Sequence, residues 1–306
     1  MTVAPAATAA ALADRTQKIA LAALIAGAIG IAFSPIFVRL SEVGPTATAF
    51  WRVAFAVPAL WVWMSMQSPG QPQGRARKPQ GLRDAVRLCT AGLFFAGDLV
   101  AWHWSIAFTS VANSTLLANF APIFVTLACW LLFKETFSRT FVLGLALALL
   151  GAVVLMGQSV NLGMNHLFGD GLGMLTAVFY AGYILSVGRL RAEFSTATIM
   201  TWSSLTTAVA VLPAVLVSGE SLIPASAYGW GILLGLALFS HVGGQSLIAY
   251  ALAHLPPAFS SVSLLVQPAA AAVIAWVLLG EPLGPWQAAG ATVMLAGILF
   301  ARRGSR

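Results

Sequence analysis

Residues 122–151, PIFVTLACWLLFKETFSRTFVLGLALALLG, and residues 268–297, PAAAAVIAWVLLGEPLGPWQAAGATVMLAG, are one pattern written twice. Pro122, Trp130, Glu135, Gly144 and Gly151 return as Pro268, Trp276, Glu281, Gly290 and Gly297, at a constant offset of 146 residues and without a gap. The register continues backwards: Gly97 falls on Gly243, Trp104 on Tyr250, Ala107 on Ala253 and Ala112 on Ala258. Further back it loosens. Thr46-Ala-Thr resembles Thr196-Ala-Thr, with Trp51 and Trp202 following. The chain therefore divides into two similar halves, 19–157 and 170–303, behind a tail of residues 1–18.

Composition sets the solvent of these halves. The 306 residues are 59% hydrophobic and 8% charged, whereas a water-soluble domain carries about a quarter Asp, Glu, Lys and Arg. The 16 basic and 9 acidic side chains cannot cover a 32.0 kDa soluble surface. Disorder and a soluble enzyme are both set aside on that ground. Ten apolar stretches follow one another: Ile19–Val38, Pro45–Met66, Val86–Phe108, Val111–Phe133, Phe141–Met156, Gly171–Gly188, Thr198–Val217, Tyr228–Leu252, Ala258–Leu279 and Pro285–Phe300. They are apolar on all sides rather than alternating with period two, so they read as transmembrane helices and not as barrel strands. The Ala-rich tail bears its charge at its end, unlike a signal peptide. Gln67–Asp84, rich in Pro, Gln, Gly and Arg, reads as a mobile loop. Cys89 and Cys129 have no metal-ligand spacing and form no disulfide framework.

Charge gives the orientation. With ten spans, 14 of the 16 Lys and Arg fall on the side of the termini, and only Arg39 and Arg52 fall on the other. The positive-inside rule then places both termini in the cytoplasm. This accounts for the net charge of +7 without nucleic acid. Five spans per half is an odd number, so the second half enters the membrane from the opposite side. Inverted repeats of this kind hold a substrate site near the midplane between the halves. The fourth-to-fifth loop Lys134–Arg139 carries two cations that its counterpart Gly280–Pro285 lacks, as inversion requires. Glu135 and Glu281 read as packing or capping residues at helix starts.

The duplicated Pro-x7-Trp-x4-Glu-x8-Gly-x6-Gly resembles the EamA-type branch of the drug/metabolite transporter superfamily, over about Leu21 to Arg303. Its Trp- and Tyr-bearing central spans are similar to bacterial YddG-type aromatic amino-acid exporters. The resemblance implies an all-α integral membrane protein of the inner membrane. Its ten helices would form a basket around a central cavity, with spans 1–4 and 6–9 lining it and spans 5 and 10 as outer buttresses. Small multidrug antiporters of the same superfamily use a Glu in their first span, and Ile19–Val38 holds no acid.

Polar residues at mid-span are costly and should face a cavity or each other. Asp98 is the single acid near the middle of a span, open to a packing role or to a substrate-amine or proton role. Trp102 lies one turn on, with His103 beside it. Tyr180 and Tyr183 share a helix face. Asn113, Asn119, His241, Gln245 and Gln267 complete the set, and Gln267 precedes Pro268, where a freed carbonyl can face the cavity. Asp98, Trp102, His103, Asn119, Tyr180, Tyr183, Gln245 and Gln267 are the expected substrate-binding residues. Ser260, Ser261 and Ser263 read as helix-knitting groups. Arg52 reads as snorkelling from the outer end of its span, so that helix ends rather than formal charges hold a zwitterion. No Lys or Arg occupies a mid-span position, which argues against sugar-phosphates and nucleotide-sugars.

These readings converge on a monomeric secondary exporter of neutral or zwitterionic solutes, aromatic or hydrophobic amino acids first, working as a uniporter without cofactor or metal. Its partners are the solute and membrane lipid, not nucleic acid. The alternative is a proton-coupled drug or cation antiporter that uses Asp98. A membrane-embedded enzyme is a remote third, because His103, His166, His241 and His254 show no ligand spacing and no catalytic residue stands out.

Overall fold

The computed structural model describes residues 4–67, 76–157 and 166–305, and among these there is no strand. Nine of the described helical segments are long and apolar enough to cross a membrane: α1 (Asp14–Leu40), α2 (Pro45–Ser65), α3 (Gly81–Phe108), α4 (Asn113–Phe133), α5 (Arg139–Met156), α6 (Leu167–Leu190), α7 (Thr196–Ser218), α8 (Ala227–Ala251) and α9 (Pro257–Leu279). The tenth stretch is also helical, α10 (Pro285–Gly304), but it is not among the nine; it carries Arg302 and Arg303 in its last turn. The helix of α1 begins at Ala4, so the described part of the expected tail prolongs the first span. Four helices start on a serine whose hydroxyl accepts the backbone N–H three residues on: Ser110, Ser138, Ser195 and Ser226. Each satisfies a donor that the helix start leaves unpaired.

Four spans are broken, each just ahead of a proline. α1 breaks at Phe33 before Pro35, α2 at Phe55 before Pro58, α4 at Asn119 and Phe120 before Pro122, and α9 at Leu264 and Leu265 before Pro268. A proline lacks the N–H and crowds the carbonyl four residues back, so the helix yields there. α8 yields differently: Leu236–Gln245 winds as a ten-residue π-helix. Such segments are rare and are found mostly at functional positions.

The packing has a two-fold pattern. α3 lies on α6 as α8 lies on α1, and α4 lies on α6 as α9 lies on α1. α5 and α10 pack chiefly on each other. A Cβ placed on Gly144 would meet Ala301 N at 2.2 Å, and one on Gly151 would meet Met294 N at 2.2 Å. One on Gly290 would meet Leu155 N and one on Gly297 would meet Ala148 N, both at 2.3 Å. The two sets exchange under the 146-residue shift. The glycines of the repeat motif are therefore the close-approach points of one antiparallel seam.

Another repeated feature corrects the reading of the acids. Lys134 and Gly280, 146 apart, both end their helices in the left-handed conformation, at φ 57° and 68°. Glu135 and Glu281 sit just past these helix ends and not at helix starts; their N–H groups donate back to Cys129 O and Ala275 O. Glu281 also pairs with Arg39. Ser261 and Ser263 donate to carbonyls of their own helix instead of knitting neighbours.

The seam generates a direct test. Gly151→Ala should destabilise the protein by about 1–3 kcal/mol, the usual cost of forcing atoms into a filled core. Gly171→Ala, where nothing lies within 4 Å, should be neutral or stabilising. Thermal unfolding in detergent distinguishes them, and equal midpoints would contradict the seam.

Candidate substrate cavity

A cavity of about 220 Å³ lies among the spans. Pockets for drug-sized ligands run to about 300–1,000 Å³, so this one suits a small metabolite. It is lined by α1 (Ile31 to Val38), α2 (Thr48, Ala49, Arg52), α3 (Phe95 to His103), α4 (Thr115 to Asn119), α6 (Thr176, Tyr180), α8 (Leu236, Gln245) and α9 (Gln267 to Ala271). α5, α7 and α10 contribute nothing to this lining. Along α1 to α4 the lining residues cluster toward one face, where α1 and α3 end and α2 and α4 begin.

The helix breaks put polar groups here. Asn119 stands at the break of α4, where its amide donates to Thr115 O at 2.7 Å. Gln267 follows the break of α9 and Gln245 closes the π-helix of α8. The side-chain amide nitrogens of Gln245 and Gln267 are buried and make no hydrogen bond of normal geometry; they lie beside the hydroxyls of Tyr183 and Tyr180. His103 is 8% exposed, and its Nδ1 meets Leu99 O at 2.5 Å. A carbonyl only accepts, so Nδ1 carries the proton, and Nε2, buried and unpartnered, is an acceptor in the neutral ring. The Trp102 ring stands edge-on to His103 at 5.0 Å.

Seven of the eight expected residues thus line one cavity: Asp98, Trp102, His103, Asn119, Tyr180, Gln245 and Gln267. Tyr183 does not. It is 2% exposed, lies behind the wall with its ring 4.9 Å from Phe95, and donates from its hydroxyl to Met200 Sδ at 3.7 Å. Helical spacing placed it on the face of Tyr180, but that face is divided between the cavity and the α7 side. His241 is also outside the lining, bonded to Ser204 at 2.8 Å. Asn113 is bonded to Asp170 at the start of α6.

Arg52 is the main correction. It does not snorkel to the end of α2 but lines the cavity, with its guanidinium carbon 5.9 Å from the Phe95 ring centroid. The cause is local. Trp51 donates from its indole to Leu222 O at 2.7 Å, which pins that side of α2 to the α7–α8 loop. Its neighbour in sequence, a helical step of about 100° away, is turned inward. The argument against phosphorylated solutes from a missing cation loses its premise; Asp98 in the same wall now opposes a multiply charged anion.

At the opposite face a clasp joins the two halves. Arg77 bonds Asp84, and its Nη2 donates to Glu193 at 2.6 Å; Arg87 donates to the other Glu193 oxygen at 2.6 Å. The Arg77 backbone N–H donates to Glu193 O at 2.9 Å, and its guanidinium covers Phe194 at 4.6 Å. Part of the loop expected to be mobile is therefore tied down, and from Gly81 it is helical. Residues 68–75 of that loop lie outside the described residues.

The sequence matches the EamA-like transporter family over residues 18–157 and 167–303. The chain belongs to that family. It is a multi-pass membrane transporter and not an enzyme. Among its relatives is the pseudopaline exporter of Pseudomonas aeruginosa, 26% identical over 233 residues, which covers 76% of this chain and 78% of that protein. Another, from Streptantibioticus cattleyicolor, is named "Probable terminal-alkyne amino-acid exporter" and is 28% identical over 277 residues, 89% of each chain. A crystal structure aligns with a TM-score of 0.76 over 96% of this chain and 99% of its own, at 16% identity, a likeness of fold alone.

The clasp is pH-dependent. Hydrogen bonds from Arg87 and then Arg77 hold the Glu193 carboxyl down at about 2, against an ordinary 4.5. A depressed acid stabilises the fold above its ordinary value, and that contribution is lost as pH falls toward 2. Glu193→Gln should lower the unfolding midpoint by a few degrees near pH 7. The gap between variant and parent should narrow below pH 4.5. A gap constant with pH would contradict the assignment.

Proposed function

We propose that this transporter exports small amino-acid-like metabolites, aromatic or hydrophobic amino acids first, across the bacterial inner membrane. It works by alternating access as a monomer, with both termini cytoplasmic and the halves 19–157 and 170–303 moving about the cavity. The observation that carries this reading is the cavity wall. Trp102, Tyr180 and Phe95 bring aromatic rings to it, while the amides of Gln245 and Gln267 and the His103 imidazole among them offer hydrogen-bonding groups to a polar head. Rings supply apolar area and attract an ammonium group. Two relatives are named as exporters, one of them of an amino acid; an aromatic substrate is this proposal's own step.

Energy coupling follows from a count of acids. Asp98 is the single carboxylate in the lining, and α1 brings none. A carboxylate engaged with substrate has no spare capacity for a driving proton, so the solute moves down its own gradient. A cytoplasmic excess supplies about 1.4 kcal/mol per tenfold ratio. A second reading, a proton-coupled antiporter, draws on the same residue, because Asp98 has no ion pair.

Proteoliposomes with labelled phenylalanine separate the two. The uniport reading expects equilibration and counterflow, with no accumulation when a proton or sodium gradient is imposed. Accumulation above equilibrium under a pH gradient, abolished in Asp98→Asn, would overturn uniport in favour of the antiporter.

A further inference from the structure

We infer that Arg52 and Asp98 form a two-pole clamp that selects solutes bearing a carboxylate and an ammonium group on one small head. The inference rests on the amino-acid reading above and names the groups that enforce it. Both residues line the same cavity, Arg52 from α2 and Asp98 from α3. No ion pair within 4.0 Å joins them. The ion pairs among the described residues, from Asp14–Lys18 to Arg87–Glu193, involve neither residue and lie outside the cavity. Arg52 Nε is buried with no hydrogen-bond partner. Two opposite charges thus line one low-dielectric chamber, close enough to attract each other but without an ion pair. Such charges are costly unless paired. The arrangement becomes favourable when an occupant inserts its own opposite charges between them.

Asp98 suits an ammonium donor; His103, within reach of the Arg52 charge, adds an acceptor nitrogen to the same wall. The Arg52 guanidinium suits a carboxylate, and the Gln245 and Gln267 amides, beside the Tyr183 and Tyr180 hydroxyls, add donors to the same wall. A simple cation would leave Arg52 unpaired and a simple anion would leave Asp98 unpaired. A zwitterion satisfies both without changing the net charge of the chamber. The aromatic wall then accepts the side chain.

The test is binding to purified full-length protein in detergent, with three probes: L-phenylalanine, phenethylamine, which lacks the carboxylate, and 3-phenylpropionate, which lacks the amine. The wild type should prefer phenylalanine over each analogue by about tenfold or more, as expected for losing a hydrogen bond to a charged group. Arg52→Gln should erase the preference over phenethylamine, and Asp98→Asn that over 3-phenylpropionate. Each single variant leaves a lone buried charge and can misfold. The double variant R52Q/D98N leaves none, and it should bind the three probes alike. If the wild type binds none of the three, the amino-acid reading falls and the clamp with it. If the wild type prefers phenylalanine and the double variant keeps that preference, the clamp alone is overturned.

Discussion

A bilayer offers no water to an unpaired polar group, and the architecture follows from where such groups are housed. The helices bury their backbone bonds internally, and lipid receives Leu, Val, Phe and Trp side chains such as Leu132, Val277 and Trp276. The polar side chains that remain inside cannot face lipid. Arg52, Asp98, His103, Asn119, Gln245 and Gln267 gather on one chamber, which is also where α4 and α9 break ahead of Pro122 and Pro268 and α8 winds as a π-helix, while others such as His241 and Ser204 pair between helices. Local departures from α-geometry and the placement of polar groups are thus two sides of one constraint: irregular backbone is tolerated where it lines a cavity.

The repeat motif serves a different end. Its glycines form the α5–α10 seam, its prolines break α4 and α9, and its glutamates follow two left-handed helix caps. None of its members except Pro268 lines the cavity. The most visible pattern in the sequence is therefore a rule for joining helices. Selectivity has to come from residues outside it. Arg52 and Asp98 have no charged counterpart in the second half: Asp98 falls on Gly244 at the 146-residue shift, and the looser match of Trp51 with Trp202 carries Arg52 onto Ser203.

The all-helical class, the approximate boundaries and the polar cluster were legible because hydropathy and mid-span polarity are properties of single helices. Asp98, Trp102, His103 and Asn119 could be placed from their own spans. What escaped needed a second helix. Arg52 turns inward because Trp51 is bonded to a carbonyl 171 positions away, and no local pattern carries that bond. Tyr183 shares a face with Tyr180, yet α7 with Met200 covers it. The contribution of α1 and α2 to the wall was implied only by family resemblance, since Ile31, Pro35 and Thr48 carry no chemical signal of their own. The π-helix of α8 has no compositional mark beyond Gly243-Gly244.

A solute held in the chamber between Arg52, Asp98 and the aromatic wall must shield the residues around it. The most direct test is substrate protection of a cysteine placed at Ala118, which lines that chamber, with Cys89 and Cys129 replaced by Ser and Ala. Phenylalanine should slow modification by a small maleimide in a saturable manner, at concentrations that support counterflow. An unchanged rate, in protein that still catalyses counterflow, would place the solute elsewhere and contradict the account.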